Sequence, residues 1–254
     1  MNFVLVGYGR MGREIESAAS KRGHRLVAIV DRSARGRLVR RRIDRSGLGA
    51  AEVAFEFTEP AAAEANVIDL LNAGVRVVSG TTGWDAGCGP VRRASRASRV
   101  GAVLAPNFSI GMNLFYLVVK EAGRLFGSGG LYDPFVTERH HRGKADSPSG
   151  TARYLAGLLA EADTRHAGTH EGKPRGTLPP GAVHLASIRA GSEPGVHTVG
   201  FDGEHDLVTL THRTRDRGAF AQGAVLAAEW ILGRGGIHAF DEVLIDRLKR
   251  GGGS

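Results

Sequence analysis

The run Glu138–Thr151, ERHHRGKADSPSGT, puts two adjacent histidines, Arg142, Lys144, Asp146 and a Ser-Gly-Thr turn within 14 residues, just ahead of an apolar helical pattern. That mixture suits a site that holds an anion and delivers a proton. A histidine with a pKa of about 6.5 is matched to proton donation near neutrality. Adjacent cations raise one another's cost, so an anionic partner is needed. Asp146 offers one charge from within the protein, and a dianionic substrate would offer more. A lone histidine here would more often be structural, but the tandem His140-His141 beside Arg142 and Lys144 is harder to read that way. The stretch SPSGTARYLAGLL reads as a helix start, with Ser147 as cap and Pro148 in the first turn. Its free N–H groups, around Gly150 and Thr151, would hold a carboxylate. No metal is expected: His140 and His141 point to opposite faces if the segment is extended, and no nearby cysteine or third histidine completes a zinc set.

A second constellation supplies a reductant. GYGRMG places Gly7, Tyr8, Gly9, Arg10, Met11 and Gly12 between an apolar strand and a helix, with Asp31 closing the next strand. Gly7 makes the tight turn, Gly9 lets backbone approach a pyrophosphate, and Gly12 lets helix and strand pack closely. The pyrophosphate sits on the helix N-terminus. Asp31 would accept from the adenosine ribose, which favours NADH, and Arg32 could pair with a 2′-phosphate, which permits NADPH. Gly80, Thr81 and Thr82 of GTTGW follow a later strand, and Ala105, Pro106, Asn107 and Phe108 follow another. Both loops fall on the carboxyl edge of an open sheet, where they would line the nicotinamide half of the pocket.

The elements that must position these residues alternate. Strands are expected at 2–6, 26–30, 52–57, 75–79 and 100–105, with helices between them, including one from Pro60 to about Ala73 stopped by Gly74. This is the pattern of a Rossmann-like, doubly wound parallel sheet in an α/β fold. After Pro106 the rhythm changes. A long helix at about 111–126, a strand at 132–138, a helix at 151–161, a polar loop at 164–181, strands at 184–190, 197–201 and 206–212, and a helix at 218–232 read as an α+β substrate domain with an open mixed or antiparallel sheet. The expected division is 1–107 and 213–254 for dinucleotide binding, and 108–212 for substrate binding and oligomerisation.

At 254 residues the chain can bury one large or two ordinary cores. A single cysteine, Cys88, excludes an intramolecular disulfide and a cysteine metal site. A strand at residue 2 leaves no room for a secretory leader, and no apolar run approaches the roughly 20 residues of a membrane span, so a cytoplasmic protein without membrane contact is expected. Net charge is +8. Seven arginines lie between Arg32 and Arg45. No nucleic-acid motif or row of aromatics accompanies them, so nucleic acid is not expected as a partner. They read as a solvated basic helix face or as a field beside a phosphorylated cofactor. The closing GGGS reads as a flexible tail.

With GYGRMG, FTEP, GTTGW, APNFSIGMN, ERHHRGKADSPSGTA and SIRAG…GVHTVGF in this order, the chain resembles the 4-hydroxy-tetrahydrodipicolinate reductases (dihydrodipicolinate reductases) over nearly its whole length. The resemblance implies hydride transfer from NADH or NADPH to a cyclic unsaturated dicarboxylate, giving tetrahydrodipicolinate in the diaminopimelate route to lysine. It implies His140 as proton donor, Lys144 as its catalytic partner, His141, Gly150 and Thr151 as carboxylate holders, and a homotetramer. Arg139 and Ser147, inside the run, depart from the family pattern and flank the substrate site that the resemblance implies. The alternatives are a related reductase of another cyclic imine or dienamine acid, and a non-catalytic NAD(P)-binding sensor.

Overall fold

The structure is a computed structural model that describes residues 1–86, 89–163, 165 and 168–251. The elements run β1 (Asn2–Val6), α1 (Arg10–Lys21), β2 (Arg25–Val30), β3 (Val39–Arg40), β4 (Val53–Glu56), α2 (Pro60–Asn72), β5 (Arg76–Ser79), α3 (Gly89–Ser98), β6 (Gly101–Leu104), α4 (Ile110–Gly127), β7 (Tyr132–His140), α5 (Gly150–Ala162), β8 (Gly168–Glu171), β9 (Ala182–Arg189), β10 (Val196–Gly203), β11 (Leu207–Arg213), α6 (Gly218–Ile231), β12 (Gly236–His238) and α7 (Phe240–Gly251). They form two compact units, Met1–Asn113 with Arg217–Ser254, and Leu114–Asp216.

In the first unit, seven strands lie in the order β12-β6-β5-β4-β1-β2-β3. Every pair is parallel. Continuous apolar strands such as Phe3-Val4-Leu5 and Val77-Val78 are buried on both faces, as a parallel sheet covered by helices requires. Pro60 opens α2 at its first turn, and Gly74 at φ +78° ends it. The core gathers Val4, Val30, Ala54, Val67, Leu70 and Val77.

The second unit is a five-stranded sheet in the order β11-β10-β7-β9-β8. β10 is antiparallel to β7 and β11, whereas β7, β9 and β8 run parallel. The sheet is therefore mixed. Val136, Leu155, Leu159, Val199 and Phe201 form its core with Val119 of α4. Phe126 stacks on Phe201 at 4.5 Å.

Four local expectations are corrected. The arginine-rich segment after β2 is not a helix. Its described residues form turns and the two-residue β3, because the Asp31 carboxylate takes the N–H groups of Ser33 and Ala34 and Gly36 sits at φ +143°. The expected loop at 164–181 contains β8, which pairs with β9. β7 runs on through Arg139 and His140, so His140 is a strand residue and not part of a loop. The cap of α5 is Ser149, whose hydroxyl accepts from the Ala152 N–H at 3.2 Å, so Ser147 and Pro148 lie outside the helix. β12 and α7 were not anticipated. Cys88 and the closing Gly252–Ser254 lie outside the described residues.

Candidate active site

The glycine-rich turn begins where β1 ends. Gly7 has φ +90°, and a Cβ there would stand 2.3 Å from the Phe57 carbonyl oxygen, so only glycine fits. A Cβ on Gly12 would stand 2.5 Å from the Gly7 carbonyl oxygen, which is the close helix-to-strand approach expected of it. Gly9 differs from both: nothing lies within 4 Å of its Cβ position. It precedes α1 in extended conformation and caps it with no side chain. Arg10 and Met11 occupy the first helical positions, whose N–H groups have no acceptor within the helix. The open space at Gly9 and these amides fit the pyrophosphate of a dinucleotide.

Asp31 fixes this loop. Its carboxylate accepts from the Tyr8 N–H at 2.8 Å, from Ser33 N–H and Oγ–H, and from the Ala34 N–H at 2.7 Å. Burial pushes its carboxyl up, but the four hydrogen bonds outweigh it and bring the pKa from 3.8 down to about 2. Arg32 is 87% exposed and approaches Glu59 at 3.6 Å. Arg41, which the sequence did not single out, donates to the Asp31 carbonyl at 2.7 Å.

Neighbouring loops are tied to the same edge. Thr81 Oγ accepts from the Thr58 N–H at 2.8 Å, and the Thr81 carbonyl accepts from the Trp84 indole. A Cβ on Gly80 would meet the Phe57 ring. Fully buried Glu56 accepts from Ser79 at 2.6 Å and from Thr58, which links the loops after β4 and β5. Ala105 donates to the Ser79 carbonyl, and Asn107 takes the Ser109 N–H on its side chain. Phe108 is 1% exposed, with its ring between Phe57 and Phe240 and its carbonyl against Gly223. It is a core residue that braces the loop. Thr82 and Pro106 stand in the loops after β5 and β6.

The second unit carries the run Glu138–Thr151. In a strand, residues two apart share a face. Glu138 and His140 point inward from β7, and Arg139 points to the opposite face, where it meets Glu193 at 3.4 Å alongside Arg213. The unusual Arg139 is thus an ion-pair residue on the other side of the sheet from His140. His140 is 6% exposed and its Nδ1 lies 3.0 Å from the Glu138 carboxylate, an ion-pair contact without hydrogen-bond alignment. Its ring meets His197 edge-on at 5.0 Å. A Cβ on Gly195 would stand 2.9 Å from His140 Nε2, so the absence of a side chain there makes room for the ring.

Glu138, 2% exposed, is the hub. It accepts from the Ser149 N–H at 2.9 Å, the Ser149 hydroxyl, Ser187 at 2.8 Å and Arg189 at 2.7 Å. Burial pushes the carboxyl up, but the contacts with His140, Ser149, Arg189 and Ser187 hold it well below the usual carboxylate range. His197 lies 3.7 Å from it and is pushed from 6.5 down to about 3, chiefly by burial and then by the charge on His140, so it is neutral. Arg189 also donates to the Asp146 carbonyl at 2.6 Å, and the Asp146 carboxylate pairs with Lys144 at 2.7 Å. Asp146 is therefore the internal counter-charge expected of it.

His141 leaves the strand and is half-buried, its N–H donating to the Glu193 carbonyl at 2.7 Å. Gly150 and Thr151 are the first residues of α5. Nothing lies within 4 Å of a Cβ on Gly150. Their amides are the free donors of a helix start, and Ser149's own N–H is taken by Glu138.

Glu138, Ser149, Ser187, Arg189 and His197 were missed by sequence reasoning. Glu138 was legible in principle, two residues before His140. The others arrive by register: Glu138 faces Ser187 on β9 and His197 on β10, and His140 faces Arg189. The sheet also brings His197, distant in sequence, beside His140. Donor atoms of Glu138, His140 and His197 lie within 4.8 Å of one another. Arg189 already supplies positive charge to that carboxylate.

The N-terminal family model of dihydrodipicolinate reductase matches residues 1–108, and its C-terminal counterpart matches 111–244. The chain is 34% identical over 252 residues to the 4-hydroxy-tetrahydrodipicolinate reductase of Christiangramia forsetii, covering 98% of this chain and all of that one. It is 37% identical over 258 residues to the enzyme of that name from Thiobacillus denitrificans, covering 93% and 95%. Among solved structures, the dipicolinate-bound dihydrodipicolinate reductase of Paenisporosarcina sp. TG-14 shares the fold, with a TM-score of 0.77 at 23% identity over 94% of this chain and 97% of that one.

Proposed function

We infer the activity from one premise: the chain belongs to the dihydrodipicolinate reductase family. It is an NAD(P)H-dependent oxidoreductase that reduces 4-hydroxy-tetrahydrodipicolinate, in its dehydrated form, to tetrahydrodipicolinate in the diaminopimelate route to lysine. The observation that carries this reading onto the chain's own residues is the linked set His140–Glu138–Arg189–Asp146–Lys144 beside an open helix start.

A bound NADH or NADPH supplies the hydride. The Gly9, Arg10 and Met11 backbone would hold its pyrophosphate, Asp31 and Arg32 its adenosine end, and the loops at Gly80–Thr82 and Ala105–Asn107 its nicotinamide end. The first unit takes the dinucleotide and the second the substrate. Gly150 and Thr151 amides hold one substrate carboxylate, with His141 and Lys144 supplying positive charge. His140 supplies the proton. Its Nδ1 is turned onto Glu138, which leaves Nε2 to reach a substrate atom. No metal enters this reading, because the carboxylate of the three-donor cluster is already met by Arg189 and two serines.

The reading extends to a cytoplasmic homotetramer. One face of the second unit's sheet is packed by α4 and α5, while Phe135, Ala186 and Ile188 on the other face are half-buried or exposed. Such a face suits a partner sheet. No helix among the described residues is long and apolar enough to cross a membrane.

The test is turnover. When dihydrodipicolinate synthase generates the substrate from pyruvate and aspartate semialdehyde, this chain oxidises NADH and NADPH. Oxidation of neither contradicts the reading.

A further inference from the structure

Two groups assigned to the chemistry, His140 and Lys144, lie on different pieces of backbone, one in a strand and one in the strap that follows it. Nothing in their own spacing fixes them relative to each other. One buried carboxylate touches both arms. Glu138 Oε2 meets His140 Nδ1 at 3.0 Å, and Glu138 Oε1 receives Arg189 at 2.7 Å. The same Arg189 nitrogen donates to the Asp146 carbonyl at 2.6 Å, and Asp146 pairs with Lys144 at 2.7 Å. A third arm reaches the helix start, because Ser149, the cap of α5, gives Glu138 both its N–H and its hydroxyl. Burying a carboxylate this completely carries a large desolvation cost, and the contacts have to offset it.

We propose that Glu138 is the positioning residue of the reaction, holding His140 on one side and the Lys144 strap and the α5 helix start on the other. It touches no substrate and acts through these groups. The proposal rests on the reading of His140 as proton donor. Glu138 stays ionised across the working pH range, and its charge lies 3.0 Å from the His140 ring nitrogen. The charged and titratable groups facing this pair are Arg189 from β9, His197 from β10 with His212 of β11 behind it, and Lys144 and Asp146 from the strap. His197 is neutral and adds no charge beside the pair.

The test uses the full chain with Glu138→Gln, Glu138→Asp and wild type. In Glu138→Gln, kcat falls by about tenfold to a hundredfold. The KM for NADH is unchanged, because the residues that hold the nucleotide lie in the other unit. The limb on which kcat/KM falls at high pH moves about one unit towards acid. Glu138→Asp, which keeps the charge, restores the position of that limb while recovering only part of the rate. A Glu138→Gln limb that coincides with wild type overturns the proposal, even if kcat drops. So does an equal shift in Glu138→Asp. If the wild type oxidises no nucleotide, the functional reading has failed, and NMR titration of the His140 ring decides the positioning claim separately. A midpoint at lower pH in Glu138→Gln supports it, and coincident midpoints overturn it.

Discussion

Under the proposed function, His140 supplies the proton from a buried ring and Lys144 supplies charge from a partly exposed ammonium. His140→Gln is expected to lower kcat about a hundredfold, as loss of a general acid does, with little change in substrate KM. Lys144→Ala is expected to act first on substrate KM. Steady-state kinetics of the two variants checks the division, and near-normal turnover in His140→Gln with none in Lys144→Ala would move the donor role to the lysine. Asp31 makes a separate prediction on stability. Its folded pKa, about 2, lies below the ordinary 3.8, so its contribution is present above pH 3.8 and lost as pH falls towards 2. Asp31→Asn should melt at lower temperature than wild type at neutral pH, and the gap should close over that acid window. The residue types in ERHHRGKADSPSGT were enough to anticipate the Asp146 counter-charge, which pairs with Lys144. They could not give Glu138 its role, because a glutamate opening such a run reads as one more solvated charge until three strands converge on it.

Elements decide which side chains meet. The strand β7 runs two residues further than its apolar pattern, because its last two positions are polar: His140 is buried against the Glu138 carboxylate and Arg139 is paired on the opposite face. Apolar spacing ends where this kind of burial begins. The helix cap lay two residues beyond Ser147 because Ser149 satisfies both a helix amide and a buried carboxylate, a choice local grammar cannot distinguish. The parallel strands and their glycine turn, in contrast, were legible, since they are continuous apolar runs with a steric need for Gly7 and Gly12. Ser149→Ala should cost about 1 kcal/mol or more in thermal or denaturant unfolding, since it removes an N-cap as well as a hydroxyl on Glu138. Gly195→Ala would place a methyl 2.9 Å from His140 Nε2, so kcat should fall with the nucleotide KM unchanged. Equal effects on both parameters would show a general disturbance instead.

At the scale of the molecule, the chain divides into two compact units with separate cores, near the change of rhythm at Pro106, and in the proposed function the first takes the nucleotide and the second the substrate. The sheet face carrying Phe135, Ala186 and Ile188 should assemble copies of the chain. Light scattering should give a tetramer, and Ile188→Glu a smaller species. The cationic run with a helix start favours two carboxylates over one, which separates reduction of a dicarboxylate from reduction of a simpler cyclic imine. The most direct measurement is therefore kcat/KM with NADH or NADPH for 4-hydroxy-tetrahydrodipicolinate, generated in situ, against a cyclic imine bearing a single carboxylate. A preference of at least about a hundredfold for the dicarboxylate is expected, because a single carboxylate leaves part of the positive charge of His141, Arg142 and Lys144 unmatched. Equal values, or a preference for the monocarboxylate, would contradict it.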